Sequence, residues 1–232
     1  MHREAGRRRD YGGRVRGALR HDKLRDTVRD IAARAQALLG FLDKAARAMK
    51  QELRKQKLRE RMSLSAQEYG AMSAAVCENL ACVGRITNAR RIMAYYPCRN
   101  EPDILPFVNR CLEKGIKIAM PFVTGDGEMK AVSFETGCAT RKNRFGIPEP
   151  HGTCGIEPED IDVVLVPGAA FGRNGERVGS GRGYYDRFLS GMDAFKAGVC
   201  FDFQIAGDIG GEEHDVGMDV VVTDKRVIGE TR

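Results

Sequence analysis

"DVVLVPG" at Asp162–Gly168 and, a little further on, "RVGSGRGYYDRF" at Arg177–Phe188 together decide the fold. The first is a short β-branched apolar run of the kind that makes a buried strand. The second carries glycines at 179, 181 and 183 and leads into a stretch with helical character. Strand, glycine-rich loop and helix in that order form a natural anion site, because glycine lets the backbone approach a ligand and the first N–H groups of a helix favour negative charge. A tight structural turn is the competing reading, and glycines alone do not separate the two.

The loop fits neither common phosphate motif. Gly183 is followed by Tyr184 where a Walker A loop needs lysine and then Ser or Thr, and the glycines are two apart rather than spaced as G-x-G-x-x-G. Its neighbours favour an anion all the same. Arg177, Arg182 and Arg187 offer cationic donors, and Asp186 sits one turn into the helix, where a carboxylate could hold Mg²⁺. Downstream, Asp215 and Asp219 precede the strand "DVVVT"; they read either as a second carboxylate for the metal or as turn residues.

Upstream, Lys50 and Arg54 stand at i and i+4 on one helix face. They either point two charges at one phosphate chain or belong to a solvated basic face. "YYPCRNEPD" at Tyr95–Asp103 ends a strand and presents Tyr96 and Glu101, suited to stacking on and hydrogen-bonding a flat heterocycle, although ordinary loop polarity explains them equally. "GIPEP" at Gly146–Pro150 marks a turn before it marks a site.

Around these motifs the chain alternates. "RIMAYY" (91–96), "IKIAMPFV" (116–123), "KAVSF" (130–134), Asp162–Pro167, "AGVCFD" (197–202) and "DVVVT" (219–223) read as strands. Asp103–Gly115 and a segment from about Gly183 read as helices. Ser65 with Glu68 three residues on is a capping-box signal for a helix running to about Gly84. Strands alternating with helices imply a mainly parallel sheet covered on both faces, with ligands beyond the carboxyl ends of its strands. Residues 136–160, rich in Gly and Pro, are long for a plain connection, and the sequence predicts no structure for them.

The N-terminus differs. Residues 1–62 hold 19 Lys/Arg against 8 Asp/Glu, a charge of +11, so within the total of +6 the remainder carries −5. Residues 1–21 lack apolar periodicity and are expected to be disordered. From Asp22, an N-cap candidate, Leu24, Val28, Ile31, Ala35, Leu38, Leu39 and Leu42 recur at mostly three- and four-residue steps, predicting an amphipathic helix over 22–47. A second helix is expected at Ala48–Met62. A basic arm can bind nucleic acid, but this one lacks the interleaved aromatics on which single strands stack, and a solvated tail is the expectation. The seven cysteines form no C-x-x-C pair and the four histidines are scattered, so reduced thiols and no zinc site are expected. No apolar run approaches the ~20 residues that span a bilayer, and no signal peptide is evident; the expectation is a soluble, cytoplasmic protein without a membrane partner.

Taken together, "KQELR" (50–54), "YYPCRNEPD" (95–103), "FGIPEP" (145–150), "VPGAAFGRNGERVGSGRGYYDRFL" (166–189) and "HDVGMD" (214–219) resemble, in order and approximate spacing, the 5-formyltetrahydrofolate cyclo-ligase family. The long glycine segment ending in "GYYDRFL" is the specific match. The resemblance implies a three-layer α/β/α sandwich at 48–232 after an extension at 1–47, acting as a monomer. It also implies ATP- and Mg²⁺-dependent cyclisation of 5-formyltetrahydrofolate to 5,10-methenyltetrahydrofolate through a phosphorylated formyl intermediate.

On the same resemblance Lys50 and Arg54 contact ATP, as do Arg177, Val178, Gly179, Ser180, Gly181, Arg182, Gly183, Tyr184 and Tyr185. Asp186 and Asp215 hold Mg²⁺. Tyr96, Glu101 and the segment from Ser180 to Tyr184 contact the folate, and Arg182 stabilises transferred phosphoryl charge. Two departures stand out: Gly172 replaces the family's usual aspartate, and the extension is additional. The alternative from a different class is a catalytically silent nucleotide-binding module with a basic nucleic-acid-binding arm.

Overall fold

The computed structural model describes residues 12–124, 128–135, 137–143, 146–151, 154–207, 209–210 and 215–229, with side chains from residue 27 onward. In chain order, helix α1 (Gly12–Met62) is followed by α2 (Ala66–Ala81), α3 (Gly84–Thr87), strand β1 (Arg91–Met93), α4 (Leu105–Glu113) and β2 (Lys117–Val123). Next come β3 (Met129–Phe134), β4 (Thr140–Lys142), β5 (Pro148–Pro150), β6 (Gly155–Ile156) and β7 (Val163–Pro167). The chain ends with β8 (Ala170–Phe171), β9 (Arg177–Val178), α5 (Tyr184–Leu189), β10 (Phe195–Val199), β11 (Val220–Val222) and β12 (Val227–Gly229).

Eight strands form one sheet in the order β12-β11-β10-β7-β1-β2-β3-β6. Its centre is parallel, from β11 through β10, β7 and β1 to β2, as the β-branched runs predict. Its margins are antiparallel at β12, β3 and β6. Two-residue periodicity divides the strand side chains between two cores. Ile92, Val163, Leu165, Val220 and Val222 pack with Val76 and Leu80 of α2 and Phe107 and Val108 of α4. Met93, Val164, Val166 and Val221 face the other way, onto Leu189 of α5 and Met218. Helices on both faces of the sheet give three layers, α/β/α.

The capping box forms as predicted: the Ser65 hydroxyl accepts from the Glu68 N–H, and the Glu68 carboxylate accepts from the Ser65 N–H at 2.9 Å. Gly115, at φ 79°, ends α4 as expected of a glycine past a helix terminus. Other expectations need correction. The two helices predicted at 22–47 and 48–62 are one, because Lys44, Ala45, Ala46 and Arg47 between them are good helix formers with no breaker. That helix begins at Gly12, inside the stretch expected to be disordered; residues 1–11 lie outside the described residues. In residues 136–160 the short pair β4–β5 and the strand β6 appear where the sequence predicted nothing.

The chain divides into two units, Met1–Met49 and Lys50–Arg232. In the first, Val28, Ile31, Leu38, Leu39, Phe41 and Leu42 are exposed. In the second, β7 is the central support. Leu165 is fully buried, so Leu165→Ala should lower unfolding free energy by about 2–5 kcal/mol, the usual cost of truncating a buried leucine. Denaturant titration of the two proteins would measure it, and a change below about 1 kcal/mol would contradict the packing described.

Candidate functional site

The chain leaves β1 toward β2 on one side of the sheet and leaves β7 toward β10 on the other. Adjacent parallel strands whose connections diverge open a crevice at their carboxyl ends. The loop after β1 carries Tyr96 and Glu101; the segment after β7 carries the β8–β9 hairpin and the glycine loop.

The hairpin sets the loop's position. Val178 is buried in a small cluster with Ala170 and Ile209, against Leu53 of α1, so its side chain faces away from any ligand. After it the chain turns through Gly181 (φ 90°) and Gly183 (φ 66°), left-handed conformations that favour glycine. The following helix, α5, is only six residues long. Arg54 Nε donates to the carbonyl of Gly179 at 2.8 Å and ties the loop to α1.

Loop and helix enclose a cleft of about 640 Å³. Six cations line it, Lys50, Arg54, Arg177, Arg182, Arg187 and Lys196, against two carboxylates, Asp186 and Asp215. Such an excess of positive charge at a concave surface suits a polyanion. Both carboxylates are paired. Arg177 Nη2 donates to Asp186 Oδ1 at 2.6 Å, and Lys50 Nζ donates to Asp215 Oδ2 at 2.7 Å. The cations of these pairs are nearly inaccessible, with side chains 4% and 7% exposed, whereas the carboxylates are 22% and 23% exposed and reach the cleft. Arg177 Nη1 also bonds the carbonyl of Pro167, and its guanidinium lies 5.7 Å from the centre of the Tyr185 ring. Arg177 is therefore a buried brace between the end of β7 and α5, while Arg182 is exposed at the rim.

Among the described residues no group of three or more His, Cys, Asp or Glu could hold a metal. Two carboxylates on one cationic cleft are nonetheless the donor set that Mg²⁺ uses when phosphate oxygens and water complete its shell. His214 of the "HDVGMD" motif and Phe145 of "FGIPEP" lie outside the described residues.

The β1 side is drier. Tyr96 packs edge-on against Phe134, with ring centres 6.0 Å apart, and burial raises its phenol to about 12. Burial pushes the Glu101 carboxyl up, opposed chiefly by Arg61, whose Nη1 lies 3.8 Å from Oε1. Burial first and Glu101 second drive the Cys98 thiol to about 12, so it is not a nucleophile at neutral pH. Tyr185, expected among the nucleotide contacts, turns its side chain toward this region. Its hydroxyl is buried with no hydrogen-bond partner among the described residues, and its pKa is raised by burial and then by Glu101. Arg61 and the Tyr185 hydroxyl were not singled out in the sequence. The only signal for Arg61 was its place seven residues after Arg54, on the same helix face.

The Gly172 corner is not empty. A Cβ there would collide with the carboxylate of Glu176, which accepts from the Asn174 N–H at 3.2 Å within the turn. Glu176 thus places its carboxylate, from across the turn, in the space a side chain at Gly172 would fill. Replacing Glu176 by Ala should destabilise the protein by about 1 kcal/mol, the scale of one partly exposed hydrogen bond. Adding Gly172→Asp should recover most of that loss, since Gly172 has no left-handed φ to forbid a side chain. A thermal-melt cycle over the four proteins would measure this, and strict additivity of the two changes would disprove the exchange.

A sequence model described as the 5-formyltetrahydrofolate cyclo-ligase family matches residues 46–224. The chain is 31% identical over 180 residues to the 5-formyltetrahydrofolate cyclo-ligase of Mycoplasma pneumoniae, an alignment spanning 76% of this chain and 99% of that one. The structure is similar to the NMR structure of Aquifex aeolicus 5,10-methenyltetrahydrofolate synthetase, with TM-score 0.71, 34% identity, and coverage of 78% of this chain and 92% of the other. It is also similar to the 5,10-methenyltetrahydrofolate synthetase of Mycoplasma pneumoniae, with TM-score 0.64, 28% identity, and coverage of 75% and 98%.

Proposed function

The chain belongs to the 5-formyltetrahydrofolate cyclo-ligase family, and from that premise we propose that it closes 5-formyltetrahydrofolate to 5,10-methenyltetrahydrofolate, converting ATP to ADP and phosphate. The formyl oxygen attacks the γ-phosphorus and ADP leaves. N10 then attacks the activated formyl carbon and gives up its proton to solvent, and the oxygen departs with the phosphate. An amide oxygen is a poor leaving group until phosphorylated, so the protein has mainly to align reactants and neutralise charge. On this reading residues 48–232 are the catalytic unit and 1–47 an extension the chemistry does not need.

The observation that carries the reading is the convergence on one cleft of Lys50 and Arg54, the glycine loop, and the carboxylates Asp186 and Asp215. Lys50, Arg54 and the backbone from Arg177 to Tyr185 take the nucleotide phosphates. Arg182, exposed at the rim, stabilises charge on the phosphoryl group in transfer. Asp186 and Asp215 would hold Mg²⁺, which would supply positive charge to offset that of the phosphates. Their pairing with Arg177 and Lys50 keeps both carboxylates at the cleft.

The folate lies toward β1. Tyr96 stacks on the ring system and the ionised Glu101 accepts its N–H donors, while Ser180 to Tyr184 contact the substrate from the opposite wall. The Tyr185 side chain faces Glu101, so its share in nucleotide binding is through the backbone.

Purified protein given MgATP and 5-formyltetrahydrofolate should produce the methenyl absorbance and ADP together, and neither without ATP; ATP binding with no methenyl product would overturn the reading. Asp186→Asn should remove Mg²⁺-dependent turnover. It is preferred to alanine, which would strand a buried guanidinium at a cost of about 3–5 kcal/mol. Arg182→Ala should lower kcat by about 100-fold, on the scale of losing one charge-stabilising donor, with little change in ATP affinity. Steady-state kinetics against each substrate would separate these effects, and unchanged kcat in both variants would refute the assignments.

A further inference from the structure

Cys98–Glu101 is a tight turn closed by the Glu101 N–H donating to the Cys98 carbonyl at 3.0 Å. Its central residues, Arg99 (φ 48°) and Asn100 (φ 55°), are the only non-glycine positions with positive φ among the described residues. Two such residues in succession are disfavoured for L-amino acids and persist where the surroundings over-determine them. Arg61 supplies that constraint. It is 5% exposed, in the last turn of α1. Its Nε donates to the carbonyl of Arg99 at 2.7 Å, and its own carbonyl accepts from Asn100 Nδ2 at 3.2 Å, so both central residues are gripped. Its Nη1 donates to the carbonyl of Gly168, just past β7, at 3.4 Å and lies 3.8 Å from Glu101 Oε1. Only a guanidinium has the planar fork to meet three such partners at once.

We propose that Arg61 is a positioning residue for ring closure: it holds the Arg99–Asn100 turn in its left-handed conformation and presents the Glu101 carboxylate, as an anion, to the folate. This rests on the reading of Glu101 as a folate contact. Glu101 is faced by Arg61 from α1, by Tyr69 from α2, by Tyr95 at the end of β1, by Cys98 and Arg99 in its own turn, and by Tyr185 from α5. Burial raises its pKa and Arg61 is the chief opposing influence, so loss of the cation moves it further up.

The test compares wild type, Arg61→Met, Arg61→Lys and Glu101→Gln in the ring-closure assay, with KM for each substrate and the pH dependence of kcat/KM for 5-formyltetrahydrofolate. Arg61→Met should raise KM for the folate by about tenfold, the scale of one charged hydrogen bond, with KM for ATP unchanged. It should also move the acid limb of the profile to higher pH. Arg61→Lys keeps the charge and loses the fork, so it should raise folate KM while its acid limb stays nearer the wild-type position; it carries the test if Arg61→Met fails to melt cooperatively. A purely structural role would depress both substrates alike and leave the limb unmoved, which would overturn the proposal. Glu101→Gln distinguishes the two levels. If it leaves folate KM unchanged, the folate reading of Glu101 fails, and the proposal with it. If it raises folate KM while both Arg61 variants match wild type, only the role of Arg61 fails.

Discussion

The parallel pairing of β1 with β7, Ile92 against Val163 and Met93 against Val164, is the constraint from which the site follows. Both strands run in the same direction and both are buried on both faces, so their connections must leave by the carboxyl ends and diverge to reach β2 and β10. Divergence places two chain segments far apart in sequence beyond those ends, the Tyr95–Asp103 loop and the glycine loop. The cationic cleft is lined by the glycine loop with Lys50, Arg54 and Asp215, and not by Tyr96 or Glu101. Neither loop would stand there without the central pair, and the apolar character of Val163–Val166 is what holds that pair inside the sheet.

Charge within the cleft is arranged in a second tier. Arg177 and Lys50 are nearly inaccessible, and each is compensated by a carboxylate that reaches solvent. An uncompensated buried cation would be costly, so Asp186 and Asp215 serve the fold before they serve any ligand. The same pairing keeps both acids in place beside the cationic lining of the cleft. The cleft therefore carries its cations and its acids as neutralised pairs, with the acid of each pair on the open side.

How much of this was legible in the sequence depends on range. The central strands were readable because Val163–Pro167 and Val220–Val222 are β-branched runs with one structural use, and the capping box at Ser65 because its two halves lie three residues apart. The β4–β5 and β8–β9 pairs were not readable, since strands of two or three residues carry no measurable period. The expected boundary near residue 47 is absent because no glycine, proline or capping residue stands there to end the helix. At the site, residue types near the glycine loop were visible as chemistry, but the roles of Arg61, Glu176 and the Tyr185 hydroxyl were not. Arg61 acts on a turn 38 residues away and Tyr185 faces a carboxylate on another strand's loop. Glu176 is local, yet its placement depends on a missing side chain at Gly172, which a pattern of residue types does not express.

One helix face links the two halves of the site. Lys50, Arg54 and Arg61 recur at steps of four and seven, which in a 3.6-residue period keeps them on one side of α1. Lys50 and Arg54 meet Asp215 and the glycine loop; Arg61, about 10 Å further along the axis at 1.5 Å per residue, meets the Arg99–Asn100 turn. Arg61 also reaches Gly168 at the root of the hairpin, so the helix braces the Tyr95–Asp103 loop and the glycine-loop segment through one row of cations. A rigid helix fixes the spacing between those contacts more strictly than two loops could. Fixed spacing of this kind favours any reaction between two bound ligands, because the reacting atoms must stand within about 3–3.5 Å before chemistry begins.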